Sequence, residues 1–140
     1  MTKVSKINLI SLVLGVIGIV ILASINPESC AGPEELRQAG LLKKLATETA
    51  AYPGAKQTDD RLTYKTNLVF YFTHWKTNAQ FEKVAEFYHQ QLTAKGWKKQ
   101  ETDPPDQNVY RKGDYHISIH QVDNQRYDVQ LTFKWTWPEH

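Results

Sequence analysis

The chain of 140 residues has room for one globular domain, and its single cysteine excludes an intrachain disulfide. It has 17 basic and 15 acidic side chains, and two of the basic ones, Lys3 and Lys6, precede the first apolar stretch. From residue 27 onward the chain is formally neutral, with 15 charges of each sign. Nucleic-acid binding requires a basic stripe, so that class of function is set aside.

The first apolar stretch predicts a membrane span. Residues 7–25, INLISLVLGVIGIVILASI, carry no charge, and a helix of that length measures about 28 Å, close to the hydrocarbon thickness of a bilayer. Lysines precede the stretch and glutamates follow it, which keeps the N-terminus inside. We therefore predict a bacterial cytoplasmic-membrane protein with residues 1–26 as its anchor and an extracytoplasmic C-terminal domain. A cleaved signal segment is the alternative, since the sequence at 29–31 loosely resembles a cleavage site.

Small residues recur within this stretch at spacings of four and three, at Ser11, Gly15 and Gly18. Such residues let a second helix approach closely, so they form a predicted helix-packing face. Cys30 invites a lipoprotein interpretation, but Glu28 lies where the bacterial lipidation signal has a small or apolar residue. A free thiol is therefore preferred to a lipidated one.

A helix or helical linker is predicted from about residue 33 to 50. Pro33 suits the first helical turn, Glu34 and Glu35 suit the positive end of the helix dipole, and Pro53-Gly54 ends the pattern. We assign residues 27–51 to this linker and residues 52–140 to the extracytoplasmic domain.

The domain begins with a strand region and a clear helix. Residues 61–75, RLTYKTNLVFYFTHW, are rich in β-branched and aromatic side chains and have the length of one or two strands. Thr77 and Gln80 then have the spacing of a capping box. Apolar side chains follow at helical spacing at Phe81, Val84, Ala85, Tyr88 and Leu92. Gly96 is well placed to end this helix in a left-handed conformation, and Trp97 to pack back over its end.

Strands are predicted over the remainder of the chain. Residues 97–101 precede a proline-rich loop, residues 109–112 turn at Gly113-Asp114 into YHISIHQV, and RYDVQLTFKWTW alternates in polarity. Period-two alternation with one polar face predicts an antiparallel sheet that is covered on one side. The predicted fold class is α+β, a transmembrane helix followed by a two-layer domain, in which one main helix covers about four antiparallel strands in the order β-α-β-β-β.

The histidines and aspartates give no catalytic or metal-binding pattern. His116 and His120 share a strand face but lie about 13 Å apart, too far to share an ion. The aspartate pairs at 59–60 and at 103 and 106 fall in predicted turns. No nucleophile elbow, phosphate loop or zinc-protease motif is present. We therefore predict no catalytic residue, no metal and no cofactor, and we rank an enzyme third among the functional hypotheses.

Aromatic side chains exceed what one core face requires. The run NLVFYF at 67–72 is apolar on both faces of any strand. The surplus face fits a partner surface, a membrane-interface contact or a face covered by the helix predicted near 33–50. The predicted interaction surface comprises Phe70, Phe72, Trp75, Trp135 and Trp137. We predict a non-enzymatic single-pass envelope protein whose outward domain binds another protein, as an accessory subunit of a membrane complex. The alternative is a periplasmic small-ligand or cell-wall binding module in which Trp75, Trp135 or Trp137 is a stacking platform.

Three segments of the sequence resemble a layout found in other proteins. AYPGAK at 51–56, VAEFYHQQLTAKGW at 84–97 and YRKGDYHISI at 110–119 resemble a layout of uncharacterised exported bacterial proteins, which are small lipoproteins or membrane-anchored domains. The resemblance covers about residues 51–137. It implies a small α+β domain in the cell envelope and supplies no catalytic residues. The chain departs from the lipoprotein members in lacking their lipidation signal.

Overall fold

The computed structural model describes residues 31–65, 67–101 and 107–135. These residues form two helices and six strands, namely α1 Pro33–Glu48, β1 Lys56–Lys65, β2 Leu68–Lys76, α2 Phe81–Ala94, β3 Lys98–Lys99, β4 Gln107–Lys112, β5 Tyr115–Gln121 and β6 Arg126–Lys134. The strands form one sheet in the order β1-β2-β6-β5-β4-β3, and every neighbouring pair is antiparallel. β6, the last of the described strands, therefore lies inside the sheet, between β2 and β5.

The two faces of the sheet differ in composition because side chains alternate along each strand. Both helices pack on the face that we call the helix-covered face, α1 against β2 and β6 and α2 against β3 and β5. The buried side chains contributed to it by the sheet include Val69, Tyr110, Ile117, Ile119, Tyr127, Val129 and Leu131. The opposite face, which we call the outer face, carries aromatic, polar and histidine side chains. The apolar core therefore lies in one layer, between the sheet and the helices.

Helix α1 is part of this core. Leu42 is fully buried and Ala39 is nearly so. Gln38 is also buried, where its Oε1 accepts a 2.9 Å hydrogen bond from the Tyr115 hydroxyl and its Nε2 donates one of 2.8 Å to Glu34. The amide is satisfied on both sides, so its burial carries little penalty and ties α1 to β5.

Helix α2 buries Val84, Tyr88 and Leu92, which recur every fourth residue on one face. The predicted capping box is absent, because Gln80 itself is the N-cap residue and Thr77 Oγ1 instead accepts a 3.2 Å bond from the N–H of Ala79. The helix belongs to the layer that covers the sheet, as its periodicity predicts.

The end of α2 has the predicted form. Gly96 has φ +82°, and its N–H donates to the Thr93 carbonyl while the Trp97 N–H donates to that of Leu92, each at 3.0 Å. This pair of bonds is a Schellman motif. Trp97 is buried against the core directly afterwards.

The prediction of about four strands and one covering helix in the order β-α-β-β-β is wrong. Residues 61–75 belong to two strands, and the first of these begins at Lys56 and runs through Asp59 and Asp60, which the sequence placed in a turn. Polar side chains are tolerated there because β1 is an edge strand, with one neighbour and exposed side chains over most of its length. The helix predicted near 33–50 exists as α1 and forms a second cover.

The predicted membrane anchor also requires correction. Within residues 31–65, 67–101 and 107–135 no helix is long and apolar enough to cross a membrane. For this part of the chain, the predictions of a single-pass membrane protein, of the membrane as a partner and of a cytoplasmic-membrane location are wrong. The stretch 7–25 on which they were built, including Ser11, Gly15 and Gly18, lies outside the described residues.

Candidate functional site

A cavity of about 320 Å³ lies between the helix-covered face of the sheet and the end of α1. We call the lining residues 46, 47 and 49–51 its roof and the β2 side chains Tyr71, Thr73 and Trp75 its floor. The walls are completed by Gln57, Tyr88, Val129 and Leu131. Three of the lining residues, Thr47, Ala50 and Gln57, are exposed, and the cavity is open to solvent on their side.

The polar hydrogens of the floor are all donated to protein acceptors. Trp75 Nε1 donates to Thr73 Oγ1 at 2.9 Å, and the Thr73 hydroxyl donates in turn to the Val129 carbonyl at 3.3 Å. The Tyr71 hydroxyl donates to Asp60 Oδ2 at 2.8 Å. The floor therefore presents ring faces and oxygen lone pairs to the cavity.

Tyr71 stays protonated well above neutral pH. Burial, together with its hydrogen bond to the Asp60 carboxylate, raises the pKa of the Tyr71 hydroxyl to about 12. Since the hydrogen of this neutral phenol is already engaged by Asp60, its oxygen remains a hydrogen-bond acceptor at the cavity surface.

Two residues of the cavity wall, Trp75 and Tyr88, pack against the ring of Tyr127 in the core. Trp75 stacks on Tyr127 with centroids 6.4 Å apart, and Tyr127 meets the ring of Tyr88 edge-on at 5.9 Å. The hydroxyls of Tyr88 and Tyr127 lie 3.3 Å apart. Burial raises the pKa of both tyrosines above the ordinary value, which keeps this shared hydrogen bond neutral.

The roof is fastened to α2. The Ala50 N–H donates to Gln91 Oε1 at 2.9 Å, and Gln91 Nε2 donates to the Ala50 carbonyl at 3.2 Å. Lys95 Nζ donates to the carbonyl of Glu48, the last residue of α1. The Gln91 amide thus bonds to both the N–H and the carbonyl of Ala50, in the way that a residue of a neighbouring antiparallel strand does.

The structure divides the predicted interaction surface. Phe70 and Phe72 lie on the outer face, where their rings stack with centroids 5.9 Å apart. Trp75 and Trp135 pack against the core instead, and Trp137 lies outside the described residues. Protein binding through these five residues stays a prediction of the sequence, and of the four that the structure describes only Trp75 lines the cavity.

On the outer face, His74 pairs with Asp128, an interaction that the sequence did not predict. His74 Nδ1 lies 2.8 Å from Asp128 Oδ1, because β2 and β6 pair with these residues directly opposite. His116 and His120 share one face of β5, as predicted, and that face is the outer face. Burial, with the nearby charges of Arg111 and Lys134, lowers the pKa of His116. Among the described residues, no group of three His, Cys, Asp or Glu side chains could hold a metal ion.

Sequence reasoning did not identify Tyr71, Thr73 and Tyr88 as site residues. A signal for the first two was present in the alternation of β2. The face of β2 that begins at Val69 continues with Tyr71, Thr73 and Trp75, whereas a closely packed strand continues with aliphatic residues. This departure from aliphatic residues on one face of β2 coincides with the floor of the cavity.

A family model described as START domain-like matches residues 57–126, which is half of the 140-residue chain. The chain belongs to the START domain-like family. The range matched to the START domain-like family includes the whole floor of the cavity, but neither its roof nor the β6 side chains Val129 and Leu131. No curated protein and no solved structure matches the chain. The resemblance to exported bacterial proteins is not tested by these comparisons and stays a prediction.

Proposed function

We propose that this domain binds a small molecule with an apolar ring, held in the cavity between the roof and the floor. The observation that supports this most directly is the composition of the cavity wall. Tyr71, Trp75 and Tyr88 contribute aromatic rings, and no charged side chain is among the described residues that line the cavity. Small-molecule sites are mostly apolar and aromatic, with a few placed polar groups.

The size and the roof support the same proposal. A volume of about 320 Å³ is at the lower end of the range for ligand sites, roughly 300–1,000 Å³. The roof residues that face this space are small, with Ala46, Ala50 and Ala51 among them. Short side chains leave room above Trp75 for a ring that stacks on it.

Titration of tryptophan fluorescence with a panel of single-ring compounds tests the proposal. We expect saturable changes for some members, because a ring stacked on Trp75 alters the environment of its indole. Ala51→Phe should abolish the response by filling the cavity. Ala94→Phe is the matched control, because Ala94 is exposed at the end of α2 and does not line the cavity.

Thermal melts establish that both variants are folded. The absence of any saturable response across neutral, cationic and anionic members of the panel contradicts the proposal. An equal loss of response in both variants would also contradict it, because the binding site would then lie elsewhere.

A further inference from the structure

The hydrogen bonds of the floor determine which ligand the cavity accepts. Each side-chain polar hydrogen of Tyr71, Thr73 and Trp75 is already given to a protein acceptor. A ligand that approaches the floor with an acceptor therefore finds no side-chain donor there. Thr73 Oγ1 and the Tyr71 oxygen each keep a lone pair, so a ligand with N–H or O–H groups can form bonds that an acceptor cannot.

The charges around the cavity distinguish among such ligands. Within the described residues no lysine, arginine or histidine lines the cavity, whereas the Asp60 carboxylate lies directly behind the Tyr71 hydroxyl. An anion would lose part of its hydration without gaining a cationic partner among these residues, which is costly. A cation is favoured by the faces of tryptophan and tyrosine rings and by the nearby carboxylate.

We infer that the cavity is a site for a protonated primary amine joined to an apolar ring, with the ring on Trp75 and the ammonium group directed at the oxygens of Tyr71 and Thr73. This inference rests on the proposed function, because it specifies the ligand of the same cavity. Two of the three polar hydrogens of the ammonium group can be donated to the two acceptors of the floor, and the third stays available to solvent at the open side.

Three probes of similar size test the inference by calorimetric titration near neutral pH. They are the 2-phenylethylammonium ion, 2-phenylethanol and the 3-phenylpropanoate ion. We expect the ammonium ion to bind most tightly and the carboxylate most weakly. A hydrogen bond to a charged group changes affinity by about 10- to 100-fold, so we expect a difference of that order between the two ions.

Two substitutions at one position separate hydrogen bonding from shape. Thr73→Val keeps the volume but removes the acceptor and frees the Trp75 N–H, so it should reduce the preference for the ammonium ion over the carboxylate by about tenfold or more. Thr73→Ser keeps the hydroxyl and should retain the preference. Because Thr73→Ser removes a methyl group, its folding is verified beside Thr73→Val by thermal melts.

The outcomes separate the two proposals. Binding of the three probes with equal affinity, or tightest binding of the carboxylate, overturns the inference and leaves ligand binding in the cavity intact. An unchanged preference in Thr73→Val also overturns it. Failure of all three probes to bind, together with silence across the wider panel, overturns the proposed function and the inference with it.

Discussion

At the scale of single residues, two glycines have opposite roles. Gly96 needs a positive φ, because its left-handed conformation closes the Schellman motif after α2. Gly40 lies inside α1, where it is exposed and needs no such conformation. An added Cβ would meet only Lys112 Nζ at 4.0 Å beside Gly96, and nothing within 4 Å beside Gly40. Steric crowding therefore does not obscure the backbone effect at either site.

Substitution by alanine should change stability in opposite directions at these sites. Gly96→Ala is expected to lower the free energy of unfolding by about 1 kcal/mol, because a side chain disfavours the left-handed conformation. Gly40→Ala is expected to raise it by roughly 0.5–1 kcal/mol through helix propensity. Urea denaturation measures both, and an unchanged midpoint for Gly96→Ala would refute the role of its positive φ.

At the scale of elements, one side chain of α2 holds the backbone of Ala50 in the roof. Gln91 pairs with both backbone groups of Ala50, whereas its neighbour Gln90 bonds only to Glu86 on the surface of the same helix. The two glutamines have the same chemistry and adjacent positions. They therefore provide a matched pair for testing how the roof is held.

Gln91→Ala should loosen the roof without unfolding the domain. We expect faster amide hydrogen exchange at residues 49–51 and weaker binding of the ring compounds, because the backbone of Ala50 loses both of its side-chain bonds. Gln90→Ala should leave exchange and binding unchanged. If Gln91→Ala exchanged no faster than Gln90→Ala at these amides, Gln91 would not fasten the roof.

The sequence predicts those helices and strands whose apolar residues recur at regular spacing within a single segment. The 3.6-residue spacing of Val84, Tyr88 and Leu92 is enough to predict α2, and the alternation from Tyr127 to Phe133 is enough for β6. β1 has no such pattern, because its charged first half lies at the sheet edge and buries little. Its charges and the bulge between Gln57 and Asp59 are also features that discourage pairing with another chain.

The cavity could be predicted only in part. Trp75 was a candidate from composition alone. Its partners depend on tertiary pairing, since Thr73 bonds to the carbonyl of Val129, 56 residues away in sequence. Which face of β2 meets β6 and the roof is set by strand register, and a shift of one residue would exchange the two faces.

At the scale of the whole molecule, buried tyrosines make the fold sensitive to alkali. Burial raises the pKa of Tyr88, Tyr110 and Tyr127, and burial with the Asp60 bond raises that of Tyr71 to about 12. A raised pKa means that the folded state retains its proton while the unfolded chain loses it above about pH 10. The unfolded state then binds fewer protons, so stability falls as the pH rises.

The contribution of these tyrosines to the free energy of unfolding should therefore be nearly constant below about pH 9 and decrease between about pH 10 and 12, by about 1.4 kcal/mol per pH unit for each tyrosine that ionises only on unfolding. Denaturant titrations across this range measure the slope, and tyrosinate absorbance reports the ionisation. Tyr88→Phe should make the decrease shallower than in the parent protein. Equal slopes for the two proteins would exclude Tyr88 as a contributor.

The order of strands in the sheet has a consequence for synthesis. β1 and β2 pair with each other early in the chain, and β3, β4 and β5 form a second group, but only β6 joins the two groups. β6 is also the last of the described strands to leave the ribosome. Until residues 126–134 have emerged from the ribosome, β2 and β5 each lack a neighbouring strand on the side where β6 pairs in the folded protein. The sheet therefore cannot be completed before β6 has emerged, and a chain terminated before β6 would leave one edge of β2 and one edge of β5 exposed to other chains.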